Sequence, residues 1–273
     1  MTDKLPYAEV IGDPIAHSKS PVIHNFWLES LGIEAEYRKT LVKAEDLAAY
    51  FLARRADPDW LGCNVTIPHK IAVMDYTDDP GGVRDRIGAM NTIACETGGP
   101  LVGTNTDAGG FLQPLLRDKW QGRSALLVGA GGAARAILFA LTSLGVPDIT
   151  IMARDPAKGQ ALLDRAGVEG RVIGMEEALP PVDLLVNTSP LGMVGQPPLD
   201  LDLSPLSAGA TVYDIVYAPL ETGLLKAARE RGLKTIDGLE MLIGQAALAF
   251  DIFFDAQAPR DRDAELRALL TAG

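Results

Sequence analysis

Cysteine and histidine are scarce in this sequence: Cys63 and Cys95 are the only cysteines, with three histidines, in 273 residues. So few thiols exclude a disulfide framework and a multi-cysteine metal cluster, and both read as reduced, buried small hydrophobes on strands. No metal site is expected. Positive charge is also short, with 25 Lys and Arg against 36 Asp and Glu and a formal net charge of −11. A nucleic-acid surface needs clustered cations to replace counterions along the phosphates, so that class of partner is excluded and any anionic ligand must be held by local groups. Nowhere do about 18 apolar residues run together. The opening Met-Thr-Asp-Lys-Leu-Pro has no apolar stretch behind a basic end. These absences predict a protein of the cytoplasm with no membrane span. Internal repeats and low-complexity tracts are missing too.

What is present is an ordered globular mix, 47% hydrophobic and 22% charged, long enough for one large or two medium domains. Apolar runs at 7–11, 36–42, 61–65, 92–95 and 101–103 read as strands. Pro21 to Leu31 and residues 44–54 read as helices, and another helix is expected after Lys70. This alternation describes a mostly parallel, helix-covered sheet. The sequence turns polar around Arg117 to Arg123, and a second series opens at Ser124. There 124–128 reads as a strand, 129–132 as a glycine turn, 133–144 as a helix and 149–152 as a strand. Strands at 183–186, 211–215 and 234–236 continue a doubly wound, Rossmann-type pattern. Helices over 239–254 and 261–270 close the chain.

Gly129-Ala130-Gly131-Gly132-Ala133-Ala134 sits between a strand and a helix, the context that a G-x-G-x-x-A phosphate turn requires. The first glycine permits the tight turn, the second admits the pyrophosphate to the backbone, and Ala134 allows close helix–strand packing. The helix N-terminus favours the anion. At the end of the next strand Arg154 favours the 2′-phosphate of NADP, while Asp155 suits the ribose hydroxyl of NAD. NADP is therefore the expected cofactor, with NAD possible.

Three polar clusters fall at strand ends, where α/β sheets carry ligands. In the first, Ser20 with Pro21 reads as a helix N-cap and first turn. With Ser18 it makes a neutral, donor-rich seat for a carboxylate. The second is Asn64-Val65-Thr66-Ile67-Pro68-His69-Lys70, whose His69 reads as a packed ring. The third joins Asn91-Thr92 to Asn105-Thr106-Asp107, where Asp107 opens a helix.

Taken in order with Gly238-Leu239-Glu240-Met241-Leu242 and Gln245, these clusters resemble the shikimate dehydrogenase family over nearly the whole chain. The resemblance implies a two-domain α/β protein. Its N-terminal substrate domain, residues 1–107, is completed by C-terminal helices over 240–273, and residues 108–239 form the NADP-binding domain, with the active site in the cleft. It implies Ser18 and Ser20 on the substrate carboxylate, and Asn64, Thr66, Asn91, Tyr217 and Gln245 on ring hydroxyls. Lys70 and Asp107 form the implied catalytic pair. Gly129, Ala130, Gly131, Gly132, Ala133 and Arg154 hold the cofactor, with Ile215 and Gly238 bordering the nicotinamide. The implied reaction is reversible reduction of 3-dehydroshikimate to shikimate, in chorismate and aromatic amino-acid biosynthesis, by a monomer or homodimer. A quinate/shikimate dehydrogenase using NAD shares nearly all these motifs, and a non-catalytic NADP-binding regulator would share the fold. The chain departs from the family's usual Asn-Arg-Thr with Ala153-Arg154-Asp155, and has Gly82 where an acidic residue is common.

Overall fold

The computed structural model describes residues 4–95 and 99–272. It divides into two compact units, Met1–Gly110 with Ile243–Gly273, and Phe111–Leu242.

The first unit is built on β1 (Tyr7–Gly12), α1 (Ser20–Leu31), β2 (Glu36–Leu41), α2 (Leu47–Arg55), β3 (Trp60–Val65), the short α3 (Val83–Arg86), β4 (Thr92–Cys95), β5 (Leu101–Thr104) and the start of α4 (Asp107–Leu112). Its sheet runs β2-β1-β3-β4-β5. The first three strands are parallel, β4 runs antiparallel to β3, and β5, antiparallel to β4, returns to the direction of the first three. The expected helix after Lys70 is a 3-10 helix, Ala72–Tyr76. Ala8, Val10 and Ile15 pack with Tyr37, Ala249 and Phe253, so a helix from the chain's end covers the sheet that its beginning forms. Glu9, between Ala8 and Val10 on the strand and so on the opposite face of the sheet, is also fully buried. It is held by Arg54 at 2.6 Å, by the Tyr50 hydroxyl at 2.8 Å and by Thr40, the pairing a buried charge requires.

The second unit comprises β6 (Ser124–Val128), α5 (Gly132–Ser143), β7 (Asp148–Met152), α6 (Pro156–Ala166), β8 (Arg171–Ile173), β9 (Leu184–Asn187), β10 (Thr211–Asp214), α7 (Gly223–Glu230) and β11 (Lys234–Ile236). Helix α8 (Gly238–Phe254) follows, and α9 (Asp263–Thr271) ends the described chain. The sheet order β11-β10-β9-β6-β7-β8 is parallel throughout. Counted within the unit this is the 3-2-1-4-5-6 order of the Rossmann fold, with its switch point between β6 and β9. Its core holds Leu126, Val128, Leu185, Val212 and Leu225, and Phe111 stacks on the Tyr213 ring with centroids 4.8 Å apart.

Among the described residues no helix is long and apolar enough to cross a membrane, and no His, Cys, Asp and Glu cluster is placed to hold a metal.

Candidate active site

Strand direction gathers the polar clusters of the first unit. β1 and β3 run parallel and pair directly, so the loops after Gly12 and after Val65 leave the same edge of the sheet. β4 is antiparallel to β3, with Thr92 opposite Asn64, and β5 is antiparallel to β4, with Thr104 opposite Thr92. Asn91 and the Asn105-Thr106-Asp107 segment therefore emerge at that edge too. Backbone hydrogen bonds tie the loops together, from Asp13 N–H to Ile67 carbonyl at 3.1 Å, Thr66 to Ile11 at 2.9 Å and Asn91 to Thr104 at 3.1 Å.

At this edge the Lys70 ammonium donates to Asp107 Oδ2 at 2.6 Å. The pair is mostly buried, the two side chains keeping 16% and 6% of their accessible surface. Asn91 Nδ2 donates to the other carboxylate oxygen, Oδ1, at 2.8 Å, and faces Thr106 Oγ1 at 3.0 Å and Gln245 Oε1 at 3.4 Å. Asn91 Oδ1 accepts from the Thr106 N–H at 2.7 Å and the Thr92 hydroxyl at 3.0 Å. Asn64 Nδ2 donates to Thr92 Oγ1 at 3.0 Å and to the Asn91 carbonyl at 3.2 Å. One network thus joins Lys70, Asp107, Asn91, Gln245 and Asn64 through Thr92 and Thr106. Both threonines belong to the third strand-end cluster of the sequence, where neither has a role of its own; the antiparallel register makes them the links.

Thr66 is half-buried at the end of β3, and its carbonyl accepts from the His69 N–H at 3.0 Å. His69 is a packed ring, with Nε2 2.6 Å from the Val42 carbonyl. Ser20 is not the N-cap. It is the first residue of α1, and Lys19 precedes it without a side-chain cap. Instead Ser18 Oγ accepts the Ser20 N–H at 3.3 Å, and the Ile23 N–H donates to the Lys19 carbonyl at 3.2 Å, which sets the cap one residue earlier than expected. Cys63 is buried, and burial pushes its thiol well up and out of reactivity. Cys95 is half-exposed at the last position of β4, so the expectation of two buried thiols holds for Cys63 alone. Gly82 caps α3 in the left-handed region at φ 64°, which explains a glycine there in steric terms.

In the second unit the glycine turn sits at the switch point. Val128 to Gly131 from the end of β6 and Thr188 to Leu191 beyond β9 line one cavity of about 460 Å³, together with Arg154, Asp155 and Lys158. Gly129 adopts φ 109°, and a Cβ there would fall 2.9 Å from Thr188 Oγ1. Gly131 faces open space, with nothing within 4 Å of its Cβ direction. A bare backbone ending at the N-terminus of α5 is the cradle a pyrophosphate fits, so the residues present suit a dinucleotide. Ala130, Gly132 and Ala133 complete that turn, with Gly132 and Ala133 inside the first turn of α5. Arg154 is exposed at the cavity rim. Asp155 is the N-cap of α6, its Oδ1 accepting the Ala157 N–H at 3.1 Å. Ile215 and Gly238 are adjacent, the Gly238 Cα backing onto the carbonyls of Ile215 and Val216 so closely that no side chain fits. Tyr217 is half-buried after β10, and burial raises its phenol.

A doubly wound unit with a phosphate cradle, joined in one chain to a unit carrying a buried Lys–Asp pair in a hydroxyl and amide network, defines a nucleotide-dependent dehydrogenase. Comparison with known proteins narrows the class. The profile of the shikimate dehydrogenase substrate binding domain matches residues 10–93, and that of the shikimate 5′-dehydrogenase C-terminal domain matches residues 238–265. A shikimate dehydrogenase (NADP(+)) of Sphingopyxis alaskensis is 62% identical, the match covering 98% of this chain and 97% of that protein. Among solved structures, shikimate 5-dehydrogenase of Thermus thermophilus in complex with NADP(H) and shikimate is 34% identical with a TM-score of 0.86, covering 98% of this chain and 100% of that one. The ligand-free 5-ketofructose reductase of a Gluconobacter species is 29% identical with a TM-score of 0.88, covering 99% of each chain. The chain belongs to the shikimate dehydrogenase family.

Proposed function

We propose that this chain catalyses the reversible, NADP-dependent reduction of 3-dehydroshikimate to shikimate in the cytoplasm. The first unit binds the small-molecule substrate and the second binds NADP. The observation that carries the reading is the Lys70–Asp107 pair at 2.6 Å, with Asn91 on the second carboxylate oxygen.

When bound, NADPH supplies the hydride, chemistry that belongs to the cofactor. Lys70 is the general acid: it hydrogen-bonds the substrate oxygen and passes it a proton as negative charge builds, a contribution of about 10²–10⁴-fold. Asp107 is held on one side by Asn91 and fixes the direction of the ammonium on the other. Ser18 and Ser20 seat the carboxylate at the start of α1, using hydroxyl and helix N–H donors rather than a basic patch. Asn64, Thr66, Asn91, Tyr217 and Gln245 orient the ring hydroxyls. Gly129 to Ala133 hold the pyrophosphate, Arg154 the 2′-phosphate, and Ile215 and Gly238 border the nicotinamide.

The test is absorbance at the nicotinamide band with shikimate, quinate or 5-ketofructose, each offered with both cofactors in the matching redox state. Turnover with shikimate and NADP at the highest kcat/KM is expected. A preference for quinate with NAD, or for 5-ketofructose, overturns the substrate assignment, and no turnover with any pair points to a non-catalytic nucleotide-binding protein.

A further inference from the structure

We infer that Asp155 limits the cofactor selectivity of the nucleotide cavity, its carboxylate opposing the ribose 2′-phosphate that Arg154 and Lys158 attract, so that the cavity admits NAD as well as NADP. The inference rests on the dinucleotide reading above. Arg154, Asp155 and Lys158 line the same cavity as the Gly129-Ala130-Gly131 turn. All three are exposed. Among the described residues neither cation is paired with a carboxylate, so both remain available to a phosphate.

The carboxylate cannot leave this region freely. Asp155 holds φ −119° and ψ 98° at the N-cap of α6, accepts the Ala157 N–H, and is followed by Pro156 in the first turn. To swing away it must give up the cap. It also occupies the end of an 11-residue helix where free N–H groups and the macrodipole would otherwise draw an anion. The helix end is therefore satisfied from within, and only the two cations are left to favour a phosphate over a hydroxyl. An acid at the end of this strand suits a ribose hydroxyl, whereas an arginine suits the phosphate, and here the two are adjacent. Removing a unit charge beside an exposed dianion changes its affinity by about tenfold at low salt.

Asparagine and serine keep the N-cap while discarding the charge, so Asp155→Asn and Asp155→Ser separate electrostatics from folding. Adenosine 2′,5′-bisphosphate and adenosine 5′-monophosphate, titrated calorimetrically into the full chain and both variants, report the 2′ site without turnover. The bisphosphate is expected to bind about tenfold tighter in each variant and the monophosphate within about twofold of the parent, the gain shrinking at about 0.5 M salt. An unchanged ratio of the two affinities, or a monophosphate weakened while the bisphosphate stays constant, overturns the inference and leaves the dinucleotide site standing. If the parent chain binds neither fragment, the dinucleotide reading falls and this inference with it.

Discussion

The Tyr37 hydroxyl donates to Asn64 Oδ1 at 2.5 Å while its ring lies flat on His24, with centroids 3.9 Å apart and planes 5° apart. All three side chains are buried. The hydroxyl decides which way the Asn64 amide faces, because with Oδ1 bound to Tyr37 the Nδ2 group must turn toward Thr92 and the Asn91 carbonyl. Tyr37→Phe is expected to lower stability by about 1–3 kcal/mol through the orphaned acceptor. It should also raise substrate KM about threefold to tenfold with a smaller change in kcat, as expected when a ground-state contact is loosened. Steady-state kinetics beside urea unfolding separate the two effects, and an unchanged KM would leave Tyr37 a purely structural residue.

His24 carries the clearest acid sensitivity. Burial alone depresses its imidazole to about 3, from 6.5 when exposed, and neither ring nitrogen has a partner. The side chains around it are Trp27 on its own helix, Tyr37 on β2, and Phe250, Phe253 and Phe254 on α8. Below pH 6.5 the unfolded chain takes up a proton that the folded chain refuses, so this group favours folding above 6.5 and its contribution is lost as pH falls toward 3. The slope is roughly 1.4 kcal/mol per pH unit within that window. His24→Phe should remove it. Unfolding free energies at pH 4.5 and 7.5 should differ less in the variant than in the parent, and an identical difference would refute the assignment.

Removing either member of the Lys70–Asp107 pair strands the other in a nearly closed environment. Lys70→Met should lose about 10²–10⁴-fold in kcat and cost stability as well, since an unpaired buried charge is expensive. Adding Asp107→Asn should recover part of that stability and none of the activity. Melting temperature and kcat are measured on the single and double variants. Near-parental turnover in Lys70→Met would sink its role as the acid.

The two glycines of the phosphate turn should fail differently. Gly129→Ala forces a side chain into φ 109° and against Thr188, so its melting temperature should fall. Gly131 has φ −92° and open space around its Cβ direction. Gly131→Ala should fold normally yet bind NADP at least about tenfold more weakly, because the methyl occupies the pyrophosphate's approach. Fluorescence titration beside a thermal melt distinguishes them, and full affinity in Gly131→Ala would place the pyrophosphate elsewhere.

Much of this was legible in the sequence where local patterns decide the structure. Gly129 to Ala134 follow an apolar strand and open a helix, so both the phosphate turn and its context are contiguous. Lys70 and Asp107 were legible as candidates, but their separation depends on how the strands between them pair. Thr92 and Thr106 were legible as members of a strand-end cluster, but their bridging role was not, for the same reason: a residue's face in an antiparallel pair follows from register. β8 went unread because three residues, Arg171–Ile173, carry no measurable periodicity. Asp155 showed its charge in the sequence, while its hydrogen bond as a helix cap required coordinates.

The reversal of direction at β4 makes the site a check on assembly. A slip of one residue in that strand would turn Thr92 to the opposite face, breaking its bond to Asn64 and carrying Asn91 off the Asp107 carboxylate. A misregistered chain could retain its secondary structure and much of its core and still be inert, so activity in a refolding experiment would count only molecules in which all five strands of that sheet have paired correctly.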